Sequence, residues 1–522
     1  MHSSLYELKA QAEKENLHFE VILQGDTRYE ESRVIANSRF HLYPLGIAYC
    51  TQAKDVSFCI QFCVSNKIAL RVRSGGHQHE GMCSANEVLI IDLSHIYGGL
   101  IDYGPDLTAW IPPGRKLGLV YAELEQKGLT IPGGGCQSVC VGGLTQGGGW
   151  GLSTRLRGMT CDNILAAEMV LANGDIIEAR ADNEYKDLFW AIRGGGGGNF
   201  GIITKFHFEL TQLAPEMTTF SLRWGKEAMY PIALRWIQMH FEHSIPESLT
   251  SACRISATTA STSDGAIIIV GQFYGNRQDA LDILAPLYEV AQPIREEFTS
   301  HQYPVKKTTP QGFTEASPLA TNSPQLAERQ GYLGNLLQPA APIVDTTKAP
   351  SQTCDAPHPH KITSSFPKAD VDLEAMVHTI IDFLNQTQAT SHANQYLSIH
   401  GMGGKVMAKS PTDTAFYYRN KAIMLQIQAW WANTGEANFD YQKDQHLIQW
   451  VAQFRQALYP FTEGAFINFP DKDLVKDYHT PEGRRILLHY YYSDNLPRLI
   501  DIKTKYDAHN LFHFGMSIPL KE

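Results

Sequence analysis

Four glycine-dense stretches fall between residues 73 and 201 and restrict what the first part of this chain can become. They are Arg73-Ser-Gly-Gly-His77, Pro132-Gly-Gly-Gly-Cys136, the run from Gly142 to Gly151, and the segment Arg193 to Gly201 with its consecutive glycines. Glycine adopts positive φ and lets backbone approach a ligand closely, so that N–H groups can cradle an anion. One such run is an ordinary tight turn. Four in one segment are better accounted for by one large anionic ligand. A Rossmann-type dinucleotide site needs strand, glycines and helix in that order. Here Gly194–Gly198 follow a helix-like segment (residues 184–193) and precede a strand-like one (202–210), which excludes that reading. His77 and Cys136 each close a glycine run. A hydrogen-bonded turn histidine and a buried thiol are the plain explanations, and both residues are also placed to reach a ligand on the glycine bed.

The surrounding pattern is α+β. Residues 53–67 read as a helix and 68–76 as a strand and turn, and strand, helix and glycine turn keep alternating to about residue 210. Beyond residue 211, the segments 263–275, 395–404 and 422–431 read as strands. The segments 276–291 and 372–386 read as amphipathic helices. Residues 305–360, rich in Pro, Thr, Ser and Gln, read as loop or irregular insertion. A formal charge of -10 argues against nucleic acid or an anionic membrane as partner, and no apolar run is long enough to span a bilayer. The polar N-terminus lacks the pattern of a secretory signal. The nine scattered cysteines show no CxxC pair, so the expectation is a cytoplasmic protein with mostly reduced thiols and no metal.

The stretches RVRSGGHQHEG, GGGCQSVCVGGLTQGGGWG, DLFWAIRGGGGGNFGIIT, GMGGKVMAKSPTDTAFYYR, FINFPD and KYDAHNLFHFGMSIP occur in this order. In them the chain resembles the berberine-bridge-enzyme-like FAD-linked oxidases of the vanillyl-alcohol-oxidase (PCMH-type) flavoprotein superfamily. The resemblance implies a bicovalent flavin, with His77 on the 8α-methyl carbon and Cys136 on C6. Arg73, Ser74, Gly75, Gly76 and Gln78 would surround the first tether and Val139 the second. Gly142, Gly143, Gly147, Gly148, Gly149 and Gly151 would wrap the pyrophosphate. Asn199, Phe200, Gly201, Ile203 and Asn495 would line the cofactor. The implied fold is α+β with two domains: residues 1–211 and 470–522 holding FAD, and an antiparallel-sheet substrate domain over 212–469. The implied activity is hydride transfer to flavin N5 from an alcohol, sugar lactol or amine-type carbon of a small molecule, with O2 as acceptor and H2O2 as product. A dehydrogenase with another acceptor and a flavin-retaining binding protein are the competing classes.

In period 2, Met424, Gln426, Gln428 and Trp430 share one strand face, and Gln426 and Gln428 are expected at the substrate. The family's Tyr-x-Asn-Tyr base motif reads Phe466-Ile467-Asn468-Phe469, and a phenyl ring takes no proton. His79, where relatives carry an aromatic residue, is the expected replacement base, with Tyr418, Tyr491 or Tyr492 as alternatives. Cys140, where relatives carry glycine, competes with Cys136 for the thioether.

Overall fold

The computed structural model describes residues 2–257, 265–303, 357–388, 393–431 and 441–522. Most of the segment 305–360, read from sequence as loop, lies outside the described residues; at its end His360 opens a strand.

Three sheets carry the fold. The first joins β1 (Glu20–Leu23), β2 (Gly46–Tyr49), β3 (Leu70–Arg73) and β4 (Leu89–Asp92) in the order β1-β2-β4-β3; β4 runs parallel to both its neighbours. The helix Ala53–Asn66 supplies the crossover and buries Val56, Cys59, Ile60 and Cys63 against the sheet. A short ribbon pairs β7 (Leu129–Thr130) with β11 (Thr211–Gln212). The second sheet is antiparallel: β5 (Asp102–Gly104), β6 (Thr108–Ile111), β10 (Ile202–Glu209), β8 (Ile164–Val170) and β9 (Ile176–Arg180), in that order. All four glycine runs lie in the connections of these sheets.

The third sheet is larger and antiparallel throughout. Its order is β15 (Arg295–Gln302), β12 (Glu216–Trp224), β14 (Ile267–Phe273), β13 (Leu249–Ser256), β17 (Ala393–Gly401), β18 (Ile423–Trp431), β16 (His360–Pro367) and β19 (Thr462–Glu463). One face is covered by the helices Met229–Phe241, Leu373–Gln386 and Tyr441–Ala457. The helix Leu373–Gln386 starts at Asp372, whose carboxylate accepts from Ala375 N at 3.0 Å, and it buries Met376, Val377, Ile380, Ile381 and Leu384. From β18 this core takes Ile423, Leu425, Ile427 and Ala429, and from β17 Leu397 and Ile399. The alternate residues therefore face the other way, toward the glycine runs.

Hydrogen bonds at the seam fix that approach. Arg155 is buried and spends its guanidinium on the carbonyls of Leu249 (2.9 Å), Ile245 (2.7 Å) and Met402, while Trp150 Nε1 donates to Gly401 O at 2.9 Å. On the opposite side, buried Lys361 of β16 meets Glu80 and Asp471 at 2.6 Å each and Asp473 at 2.7 Å. Burial alone would raise the Glu80 carboxyl, but Lys361, Arg39 and Lys472 hold it down to about 2. The same burial would lower the Lys361 ammonium, yet its three carboxylates raise it. Replacing Lys361 by Met would leave Glu80 and Asp471 buried without their shared cation. The expected loss is about 3–5 kcal/mol, read as a drop in the denaturation midpoint.

Candidate active site

A single cavity lies between the glycine runs and the free face of the large sheet. Its floor is backbone: Ser74 to Gly76, Gly142 and Gly143, and Gly196 to Gly198. Gly198 holds φ +72°, a conformation that suits glycine, and a Cβ on Gly143 would meet nothing within 4 Å because that backbone opens directly on the cavity. Gly142 is closed behind, where a Cβ would stand 2.9 Å from Pro113 Cβ. A floor with this much open glycine backbone fits a flat, phosphate-bearing cofactor such as FAD.

His77 and Cys136 both line this cavity, although 59 positions separate them in the chain. The His77 ring is oriented by Ser138, whose Oγ lies 2.9 Å from Nε2. Cys136 is half-buried. Cys140 also borders the cavity but is buried, its Sγ–H donating to Gly114 O at 3.1 Å, and burial pushes its thiol up to about 12. A thiol held protonated is a poor nucleophile. Gln78, Val139, Gly151, Asn199, Gly201 and Ile203 also line the cavity, and Gln78 Oε1 braces its loop by accepting from Glu80 N and Met82 N at 2.8 and 2.9 Å.

Several expected residues are elsewhere. Arg73 points away and pairs with buried Asp92 while donating to Ser32 O at 2.8 Å. Gly147, Gly148 and Gly149 pack beneath the 466–469 segment and Thr160; a Cβ on Gly147 would overlap the Asn468 amide, and one on Gly149 would stand 2.3 Å from Thr160 Oγ1. Phe200 belongs to the core under the second sheet. The Asn495 amide is consumed by the carbonyls of Pro411, Thr414 and Ala415 at 2.7, 3.2 and 3.3 Å. These residues shape the floor from behind and are absent from the cavity wall. Met424, expected on the substrate face, turns to that side of the sheet but packs with Met159, Phe366 and Phe466 in a small apolar cluster.

The roof is polar. Register places Tyr396 opposite Gln428 and Ser398 opposite Gln426, with Ile362 and His360 of β16 beside Gln428 and Trp430. The Gln428 carbonyl accepts from Tyr396 OH at 3.0 Å and from Trp430 Nε1 at 2.9 Å, and its amide donates to Ser398 Oγ at 3.2 Å. His400 Nε2 lies 2.8 Å from Gln426 Oε1, while its buried Nδ1 has no partner. The His400 ring packs on Trp150, with centroids 4.3 Å apart, and on Phe469 at 5.8 Å. The His79 ring also packs near Phe469, with centroids 6.1 Å apart. Sequence reading missed Tyr396, Ser398 and His400. A period-2 reading of residues 395–401 would have put them on one face.

The hydroxyls of the three alternative tyrosines are committed to backbone, and of the three only Tyr492 borders the cavity. Tyr418 OH donates to Tyr490 O at 2.6 Å, off the cavity. Tyr491 OH lies 3.2 Å from Asp471 O, and Tyr492 OH donates to Gly195 O at 2.8 Å. Burial raises all three phenols further above neutrality.

Comparison with known proteins agrees with this geometry. An FAD binding domain model matches residues 44–180, and the "Berberine and berberine like" model matches residues 465–519. The FAD-linked oxidoreductase YgaK of Bacillus subtilis is 30% identical over 516 residues, spanning 97% of this chain and 98% of the relative. The chain belongs to the berberine-bridge-like FAD-linked oxidoreductases. Chitooligosaccharide oxidase of Gibberella zeae is 28% identical over 509 residues, 95% of this chain and 92% of that one. The solved glucooligosaccharide oxidase of Acremonium strictum, described as carrying a 6-S-cysteinyl, 8α-N1-histidyl FAD, shares the fold. Its TM-score is 0.77 at 20% identity over 98% of this chain and 99% of that one. Like those relatives, this berberine-bridge-like protein is α+β, and its described residues include no helix long and apolar enough to cross a membrane.

Burial lowers His79 and His400 to about 4, with nearby His77 lowering His79 further, and it lowers His240 to about 3. An unfolded imidazole titrates near 6.5, so these rings favour the folded state fully above about that pH and cease to as pH falls toward the folded values. The thermal midpoint is therefore expected to fall between about pH 6.5 and about pH 4. His400→Gln, which carries no titrating proton, should show a shallower fall.

Proposed function

We propose that this oxidoreductase carries FAD on two covalent tethers, His77 and Cys136, and oxidises a neutral hydroxylated substrate, of which a sugar lactol is the leading class. Residues 1–211 and 470–522 would hold the cofactor, and 212–469 would cover it. The observation that carries the reading is the convergence of His77 and Cys136 on one backbone-lined groove beneath a roof of amides. The flavin would supply the hydride acceptor at N5 and pass the electrons to O2.

The chain's own residues then divide the work. Gln426 has amide N–H groups to offer, while Gln428 ties Tyr396, Ser398 and Trp430 into one polar network along the same face, which suits the ring hydroxyls of a sugar. Trp150, Phe466 and Phe469 supply flat apolar surface for the ring's faces and exclude water. His79 takes the substrate hydroxyl proton. Phe469 cannot, and the tyrosines are bound to backbone and hold their protons. Burial keeps His79 neutral near pH 7, with a lone pair to offer.

Two measurements test this reading. Acid-precipitated protein should stay yellow, and its flavin peptides should contain His77 and Cys136. Cys136→Ala should keep colour through His77 alone, and the double variant should release it. A colourless pellet would remove the tethers. Separately, anaerobic reduction of the bound flavin by cello- and chito-oligosaccharides should slow about 10²–10⁴-fold in His79→Gln. An unchanged rate would exclude His79, and His400→Gln would then be the next variant to measure. H2O2 yield set against dye reduction decides whether O2 is the acceptor.

A further inference from the structure

A second histidine stands behind His79, and the two are joined more firmly than packing alone requires. His79 Nδ1 lies 2.9 Å from His360 Nε2, and His360 Nδ1 lies 2.9 Å from the backbone carbonyl of His358. The amide of buried Asn37 bridges the two main chains: its Nδ2 donates to His79 O at 2.6 Å and to His360 O at 3.0 Å, and its Oδ1 accepts from His360 N at 3.2 Å. One residue further along each chain, Lys361 and Glu80 form the 2.6 Å ion pair. The indole of Trp430 stacks on the His360 ring with centroids 4.0 Å apart. The pair is thus held from the main chain, from the side and from above.

The hydrogen-bond chain has only one consistent assignment of protons while both rings are neutral. A carbonyl oxygen accepts and never donates, so His360 Nδ1 carries the proton that the His358 carbonyl receives. A neutral imidazole has one N–H, so His360 Nε2 is a bare acceptor. It must receive its hydrogen bond from His79 Nδ1–H. His79 Nε2 then carries the lone pair, and it has no hydrogen-bond partner among the described residues. His360 is buried and His79 half-buried, and burial disfavours the charged form of each. The charged groups nearest the pair, Arg39 and Glu80, are themselves engaged in the ion cluster.

We propose that His360 is a positioning residue which, anchored on the His358 carbonyl, locks His79 in the Nδ1–H tautomer and so presents Nε2 of His79 as a proton acceptor in the cavity. Free imidazole side chains can exchange between tautomers, and a base that holds the wrong one offers N–H where a lone pair is needed. The fixed wiring removes that loss. Its use in catalysis rests on His79 being the base, as proposed above; the tautomer itself does not.

The test reads the tautomer directly. Holoprotein labelled with [15N]histidine is examined by two-bond 15N–1H correlation at about pH 7, with the His79 signals identified by their loss in His79→Gln. The expected pattern is a protonated Nδ1 and a bare Nε2. In His360→Phe, which keeps a ring against Trp430 and removes the acceptor, that pattern should be lost in favour of Nε2–H or exchange between the two. His360→Gln, whose carbonyl can still accept from Nδ1, should restore it. A wild-type spectrum with bare Nδ1 would overturn the proposal even if no variant folded, as would a His79 pattern unchanged by His360→Phe. If the tautomer behaves as described while His79→Gln reduces its flavin at the wild-type rate, the wiring stands and the assignment of the base fails. The converse result separates them the other way.

Discussion

The alternation of β17 and β18 between aliphatic and mostly polar side chains underlies the whole site. Leu397, Ile399, Ile423, Leu425 and Ile427 must be buried under the three helices, and burial of that many aliphatic side chains is worth many kcal/mol, at about 1.5–3 kcal/mol each. A one-residue slip of register would reverse every side chain, so the apolar set fixes the polar one. Tyr396, Ser398, His400, Gln426 and Gln428 are thereby delivered to the opposite face whatever they bind. Their mutual hydrogen bonds then set the orientation of each amide. The core on one side of the sheet thus determines the donor and acceptor pattern on the other.

Against that roof, the glycine runs give a floor whose chemistry is main chain. Their legibility in the sequence was uneven, for a physical reason. Runs such as Ser74–Gly76, Gly142–Gly143 and Gly196–Gly198 border the cavity as expected, whereas Gly147–Gly149 are glycines because Asn468, Phe466 and Thr160 press on them. Composition does not distinguish a glycine that admits a ligand from one that admits a neighbouring side chain. Asn495 and Tyr418 illustrate the same limit: polar residues in matching motifs turn out to satisfy buried carbonyls. His79 was legible from its motif position and Gln426 and Gln428 from strand period, and all three border the cavity. His360 and His400 were not, since each becomes meaningful only through pairing across strands or with a distant loop.

The segment 466–469 is apolar but for Asn468, and the polar groups of the cavity stand on the sheet and the His79 loop around it. Phe466 and Phe469 meet edge to face at 5.3 Å, and the segment is pinned where Phe466 N donates to Ser364 Oγ at 2.9 Å and Asn468 Nδ2 to Leu144 O at 2.9 Å. An apolar wedge therefore borders the cavity, and the imidazoles of His79 and His400 both pack against its Phe469 ring. Burial lowers both imidazoles, and Phe469, packed against each ring, contributes to that burial.

The Arg155 clamp carries a consequence for handling the protein. Its three partners are peptide oxygens, and peptide oxygens neither titrate nor exchange counterions. Concentrated salt that loosens surface ion pairs within a Debye length of about 3 Å at 1 M has little to act on there. The grip between glycine floor and polar roof on that flank should therefore survive brine that loosens the surface around it.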